Sequence, residues 1–116
     1  MELHNSKFTK THTKVYCEDE WKFNAPHHFT IKNSETDEVL CTINMQEGPI
    51  NEVGINGISN EDLLLIVLTR LESFQNSEFR CGENAEAIKS ILDAYDSLRL
   101  RTYKREKRDV EGTSIV

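Results

Sequence analysis

From residue 28 onward the spacing of apolar positions changes twice, and each change marks an element. Two short β-prone runs come first, Phe29-Thr30-Ile31 and Val39-Leu40-Cys41-Thr42-Ile43, separated by the polar stretch Asn33-Ser34-Glu35-Thr36-Asp37. Runs of that length around turn-forming residues predict a β-hairpin. Residues 46–57 carry three glycines, one proline and two asparagines, punctuation dense enough to predict a loop with room for one short strand. The period then becomes helical. Leu64, Val67, Leu68, Leu71 and Phe74 recur at three and four, which predicts a helix ending near Phe74. Ser59 is placed to accept an N–H of its first turn, and Glu61 and Asp62 complement the positive end of its dipole.

After a break at residues 76–82, Ile88, Ile91, Leu92, Tyr95 and Leu98 share one face. This second helix is predicted from near Asn84 to about Arg108, with Gly112 among the candidates for a terminating left-handed residue. At about 24 residues it spans about 36 Å, two or three turns more than its partner. An overhang of that size calls for another chain. Residues 1–26 are polar and weakly patterned, with scattered Lys7, Lys10 and Lys14, and read as an irregular or mobile lead-in. The expected fold class is α+β: a small N-terminal β-sheet or hairpin (27–58) followed by a long antiparallel helical hairpin and tail (59–116). A single domain spans 1–116 and assembles as a homo-oligomer.

Composition narrows the function. A chain of 116 residues with 37% hydrophobic and 29% charged positions is a small globular domain, at the size where self-assembly supplements a modest core. The longest apolar run, from Leu63 to Leu68, is far below the roughly 20 residues of a membrane span, and no signal-peptide hydrophobic region follows Met1. A cytosolic location is expected. Cys17, Cys41 and Cys81 are odd in number and widely spaced, which suits reduced thiols rather than a metal or disulfide framework.

The formal net charge is −6, but it is unevenly spread. Between residues 99 and 108, Arg99, Arg101, Lys104, Arg105, Lys107 and Arg108 face Glu106 alone, so this segment carries +5 and the rest −11. An acidic body with one basic segment repels long polyanions yet can hold a small anion.

The apolar stripe of the second helix continues at helical spacing into Arg101, Thr102 and Arg105. Spacing leaves two roles open for the arginines: complementing the negative helix end, or clamping phosphate with a planar fork. Phe74 and Asn84 fall at the same end of the predicted hairpin, either as core filler and helix cap, or as a stacking face and an amide that reads a base or ribose edge. Residues 46–57 match neither the P-loop nor the dinucleotide-binding glycine pattern, so no cofactor is indicated. His4, His12, His27 and His28 lack the spacing of a helical metal site. No nucleophile, base or acid pair marks an enzyme.

Two stretches in order carry a family resemblance. The first is Gln46-Glu47-Gly48-Pro49-Ile50, then Gly54-Ile55-Asn56-Gly57-Ile58 leading into Glu61-Asp62-Leu63-Leu64. The second is Glu83-Asn84-Ala85 opening the long helix, Leu100-Arg101-Thr102 with Arg105 late in it, and Val110-Glu111-Gly112-Thr113 at the end. The combination resembles phage-encoded Thoeris anti-defence proteins of the first type, whose helical hairpin is shared with the second-type anti-CBASS sponges.

The resemblance implies a homohexamer that sequesters glycocyclic ADP-ribose, the messenger of Thoeris TIR proteins, together with separate pockets for CBASS cyclic di- or trinucleotides. It places base and polar contacts on Phe74 and Asn84, the pyrophosphate on Arg101 and Arg105, and a trinucleotide pocket at Lys89 and Thr113. One departure stands out: the family often has Gly before Val-Glu-Gly-Thr, where this chain has Asp109, a residue that adopts the left-handed region less readily.

Phe74, Asn84, Arg101 and Arg105 together supply on the order of 8 kcal/mol, near micromolar affinity, so a tight sponge needs groups from a second chain. Two rival readings are a nucleic-acid-binding regulator that uses the basic helix 99–108, and a ligand-free structural oligomer in which the arginines tie chains together.

Overall fold

The computed structural model describes residues 1–8 and 11–116 and divides the chain into two compact units, Met1–Ile58 and Ser59–Val116. The first holds β1 (Thr13–Cys17), β2 (His28–Asn33), β3 (Val39–Asn44) and a single helical turn, α1 (Ile50–Val53). The second holds α2 (Asn60–Gln75) and α3 (Gly82–Lys107). A three-stranded antiparallel sheet followed by helices is the α+β class expected.

The sheet order is β1-β2-β3, with Val15 opposite Ile31 and Phe29 opposite Ile43. The β2–β3 hairpin forms where the polar stretch predicts it. The Asn33 side-chain oxygen accepts from the N–H groups of Glu35 (2.8 Å) and Thr36 (3.1 Å), and Asp37 takes a positive φ of 63°. An Asn at the turn's start mimics a backbone acceptor and so closes the reversal.

The irregular lead-in expected for residues 1–26 is corrected by β1. Thr13, Val15 and Tyr16 suit a pleated surface, and pairing on both sides fixes them: β2 lies along one edge, and Leu3 N–H donates to Val15 O (2.8 Å) while Cys17 N–H donates to Met1 O (2.9 Å) along the other. Cys17 is buried. Lys10, counted in that lead-in, lies outside the described residues.

Behind β1 the chain turns through Phe23 (φ 55°) and Asn24 (φ 74°) to bring His27 inside, where its N–H donates to Glu18 (2.9 Å) and its Nε2 meets Lys22 O at 2.6 Å.

Residues 46–57 form an ordered loop with α1 where a short strand was allowed for, and two amide side chains hold it. Gln46 Nε2 donates to Gly48 O (3.1 Å) and Gly54 O (2.8 Å), while its Oε1 accepts from Asn56 N–H (3.0 Å). Asn56 answers with Oδ1 accepting from Glu47 N–H and Nδ2 donating to Glu47 O, both at 2.8 Å. Gly57 then passes against the backbone of residues 44–45. A Cβ there would be driven into the Met45 carbonyl and within 2.7 Å of Asn44 O. The glycines, Gln46 and Asn56 of this motif thus serve the loop's own construction.

In the second unit, Ser59 caps α2 as expected and completes a capping box: its Oγ accepts from Asp62 N–H (3.2 Å) and the Asp62 carboxylate from Ser59 N–H (2.9 Å). Gln75 closes the turn to α3 with both ends of its amide, accepting from Cys81 N–H (2.9 Å) and donating to Cys81 O (3.0 Å). α3 therefore starts at Gly82, two residues before Asn84, and Cys81 is its N-cap.

α3 has 26 residues against 16 in α2, an excess worth about 15 Å. Its end is a Schellman turn. Asp109 (φ 58°) takes the left-handed position expected of a glycine, its N–H donating to Glu106 O (3.0 Å) and the Val110 N–H to Arg105 O (3.0 Å). Gly112 (φ 77°) is a second reversal further on. Among the described residues, no helix is long and apolar enough to cross a membrane.

Candidate functional site

Neither α2 nor α3 contains a fully buried residue. Leu64, Leu68 and Leu71 are half-buried along the predicted stripe, while Val67 and Phe74 are exposed at its edge. Phe74, 42% exposed, therefore does not act as core filler. It lines an open groove of about 410 Å³ with Thr69, Arg70, Ser73, Ser77 and Phe79.

Arg70, one turn before Phe74, lays its guanidinium 5.8 Å from the centre of the Phe74 ring, a cation–π pairing that leaves the charge facing the groove. Thr69, Ser73 and Ser77 each donate their hydroxyl to a backbone carbonyl, of Leu65 (2.8 Å), Thr69 (2.8 Å) and Phe74 (2.6 Å) respectively. The oxygens of Thr69 and Ser73 remain as acceptors, while that of Ser77 already accepts the Phe79 N–H (3.1 Å). A groove with aromatic walls, a cation and hydroxyl acceptors suits an aromatic base with an amine edge and an anion nearby.

Asn84, the third residue of α3, is half-buried near this end of the hairpin. Arg101 and Arg105 are not. Seventeen positions of helix separate Asn84 from Arg101, about 26 Å, and another turn separates Arg101 from Arg105. Within one chain the four residues thus fall into two groups at opposite ends of α3. Lys89 is exposed and about 24 Å from Arg105 along the helix, so Lys89 and Thr113 are likewise apart.

Arg101 is exposed, and among the described residues no carboxylate comes within ion-pairing distance of it or of Arg70. Arg105 differs: its guanidinium donates to the carbonyls of Ile115 (2.7 Å), Val110 (2.8 Å) and Thr113 (3.2 Å), and its Nε lies 3.3 Å from the Glu111 carboxylate. Thr113 also donates its hydroxyl to Val110 O.

No family model matches the chain. A curated relative from Bacillus phage SBSphiJ7, named Thoeris anti-defense 1, is 43% identical, with 97% of this chain and 96% of the relative covered. The chain belongs to the Thoeris anti-defence family of the first type. The resemblance carried by the loop, helix and tail motifs is thereby established at the level of the family, and its relative's name speaks of anti-defence while naming no reaction.

For this Thoeris anti-defence protein, sequence reasoning missed Arg70 and Phe79. Arg70 was within reach, because i, i+4 spacing puts a cation beside Phe74 on any helix; Phe79 sits in the α2–α3 turn, where no period applies.

A second polar cluster lies in the sheet unit. His28 joins Asn44 Oδ1 through Nδ1 (2.9 Å) and Glu47 through Nε2 (3.1 Å), with Glu18 at 3.8 Å. The hydrogen bonds to Asn44 and Glu47 raise its pKa above the ordinary histidine value. Among the described residues no group of His, Cys, Asp and Glu is arranged to hold a metal ion.

Proposed function

We propose that this protein blocks Thoeris defence by binding the signal, glycocyclic ADP-ribose, and withholding it uncleaved in the cytosol of the infected cell. The observation that carries the reading is the split of chemistry along the hairpin: the aromatic, cationic groove around Phe74 and the nearby Asn84 at one end, and Arg101, about 26 Å along α3 from Asn84, towards the other. A nucleotide is too short to bridge that span. The two groups meet over one ligand only if chains pack so that Phe74 and Asn84 of one copy face Arg101 of another.

Symmetric self-assembly, a homohexamer by family resemblance, provides such a meeting. It also gives the exposed Leu92, Tyr95, Leu100 and Tyr103 of α3 something to cover. A stacked base contributes about 1–3 kcal/mol and each charged hydrogen bond about 1.5–3. Phe74 and Asn84 of one chain with Arg101 of another therefore approach the micromolar range, which neither end of one chain reaches alone, and the neighbouring Arg70 adds a further charged donor. Lys89 and Thr113, brought together in the same way, would form a second pocket for CBASS cyclic di- or trinucleotides.

Calorimetry with glycocyclic ADP-ribose, with ordinary cyclic ADP-ribose and a cyclic trinucleotide as comparators, tests the reading. Phe74→Ala and Arg101→Ala should each weaken binding by roughly 10- to 100-fold, and denaturation should release the ligand intact. Assemblies co-folded from Phe74→Ala and Arg101→Ala chains should regain some high-affinity sites, because some interfaces then pair an intact Phe74 with an intact Arg101. A hydrolysed ligand or an unbound one ends the sponge reading. Absence of recovery in the mixed assembly ends the two-chain site.

A further inference from the structure

We propose that Arg105 is a positioning residue of the C-terminal tail and not a phosphate contact. A guanidinium has five N–H donors; three of them are committed here by hydrogen bonds to the chain's own last residues, and a fourth faces a carboxylate there at ion-pair distance. Nη1 donates to Ile115 O at 2.7 Å, Nη2 to Val110 O at 2.8 Å and Thr113 O at 3.2 Å, and Nε faces Glu111 at 3.3 Å. The side chain is only 11% exposed, against the open surface on which Arg101 stands.

Three carbonyls spread over six residues and one carboxylate thus converge on a single planar cation, an arrangement that fixes the path of a segment with no helix or strand of its own. The local sequence prepares it. Asp109 reverses the backbone at φ 58°, Val110 is buried directly after the reversal, and Gly112 at φ 77° turns the chain back. Thr113 then locks the loop from inside, its N–H and hydroxyl both donating to Val110 O while its Oγ1 accepts from Ile115 N–H.

An anion that took Arg105 would have to break this set and leave the carbonyls of Val110, Thr113 and Ile115 without their shared donor. Each charged hydrogen bond so exchanged is matched by one lost, so the exchange brings little net affinity. Arg101 carries no such commitment. The effect of Arg105 on any ligand is therefore indirect, through the placement of Thr113 and its neighbours, a consequence that rests on the proposed function. The tail's own order does not.

The test uses the full chain. Amide hydrogen exchange of residues 110–116 without ligand should accelerate at least about tenfold in Arg105→Ala and stay unchanged in Arg101→Ala. Arg105→Lys keeps the charge but not the fork, so it should behave like Arg105→Ala in exchange. Unchanged tail exchange in both Arg105 variants overturns the proposal.

The second arm measures glycocyclic ADP-ribose affinity in a double-mutant cycle with Asp109→Pro. A proline cannot take the positive φ, so this change frees the tail while leaving Arg105 in place. A positioning role means that Arg105→Ala adds no loss in the Asp109→Pro background. An equal loss in both backgrounds, with affinity kept by Arg105→Lys, would make Arg105 a direct phosphate contact. If the unaltered protein binds no glycocyclic ADP-ribose, the proposed function fails while the exchange arm still decides the tail.

Discussion

In residues 1–58, polar side chains tie backbone to backbone at nearly every irregular point: Asn33 at the hairpin turn, Glu18 at His27, Gln46 and Asn56 across the 46–57 loop. In residues 59–116 the ties that hold irregular backbone stand at the margins, at the Ser59 cap, the Gln75 closure and the Arg105 tail. Those of Thr69, Ser73 and Thr102 stay within their own helices, and the long faces are left open, with Leu65, Ile66, Leu92, Tyr95, Leu100 and Tyr103 all exposed. The sheet unit thus fixes its shape by local bonds that tolerate few side chains. The helical unit fixes its ends and leaves apolar surface along its length, which is the surface a ligand-binding assembly can use. Rigidity and chemistry are divided between the two units, with the groove and Arg101 on the helical one.

The comparison breaks most readily at Gly57. Gly57→Ala puts a methyl into the Met45 carbonyl, backbone that cannot swing aside as a side chain would, and should cost about 3 kcal/mol or more, read as a drop in the denaturant midpoint. A stability near that of the unaltered chain would show that the loop yields, and that the sheet unit is no more tightly specified than the helices.

Ser59→Ala is the counterpart on the helical side. It removes one half of a capping box and should cost about 1 kcal/mol, with the helices otherwise intact by circular dichroism. A cost equal to that of Gly57→Ala would mean that the helical unit also hangs on a single local tie, and the contrast would be lost.

What the sequence disclosed follows the same division in reverse. The helices, their stripes and the Ser59 cap were legible because a period of 3.6 and a capping residue are local signals. β1 was not, although Thr13, Val15 and Tyr16 favour a strand, because its order comes from β2 and from residues 1–3, partners that composition does not announce. The loop's glycines signalled punctuation, while the amide ladder of Gln46 and Asn56 required knowing which backbone groups lie across from them.

The candidate site divides likewise. Phe74 and Arg101 were legible as residue types suited to a base and a phosphate. That Arg101 lies about 26 Å from Asn84, which stands at Phe74's end of the hairpin, followed from helix length alone. The engagement of Arg105 was hidden, since its partners are carbonyls that every residue possesses.

The finest test of the sheet unit concerns His28, where the expected effect is the smallest. Both of its ring nitrogens face oxygen acceptors, Asn44 Oδ1 and the Glu47 carboxylate, with Glu18 nearby, so the doubly protonated ring satisfies all three. The hydrogen bond to Asn44 first, and then that to Glu47, hold its pKa above the ordinary value of 6.5. A raised folded-state pKa means that the folded protein binds the proton more tightly than the unfolded chain does. The stabilisation is therefore complete below about pH 6.5 and disappears as pH rises through the higher folded-state value.

The thermal midpoint should accordingly decline from pH 6.5 towards 8, by less than Ser59→Ala lowers it at fixed pH, because the ring is open to solvent and screened. His28→Gln keeps a polar side chain at the junction of β2, β3 and the loop but cannot titrate, so its midpoint should be flatter across the same interval. Should the decline persist undiminished in His28→Gln, the cluster is not its source, and the ties of the sheet unit are insensitive to charge at the junction where β2, β3 and the loop meet on one ring.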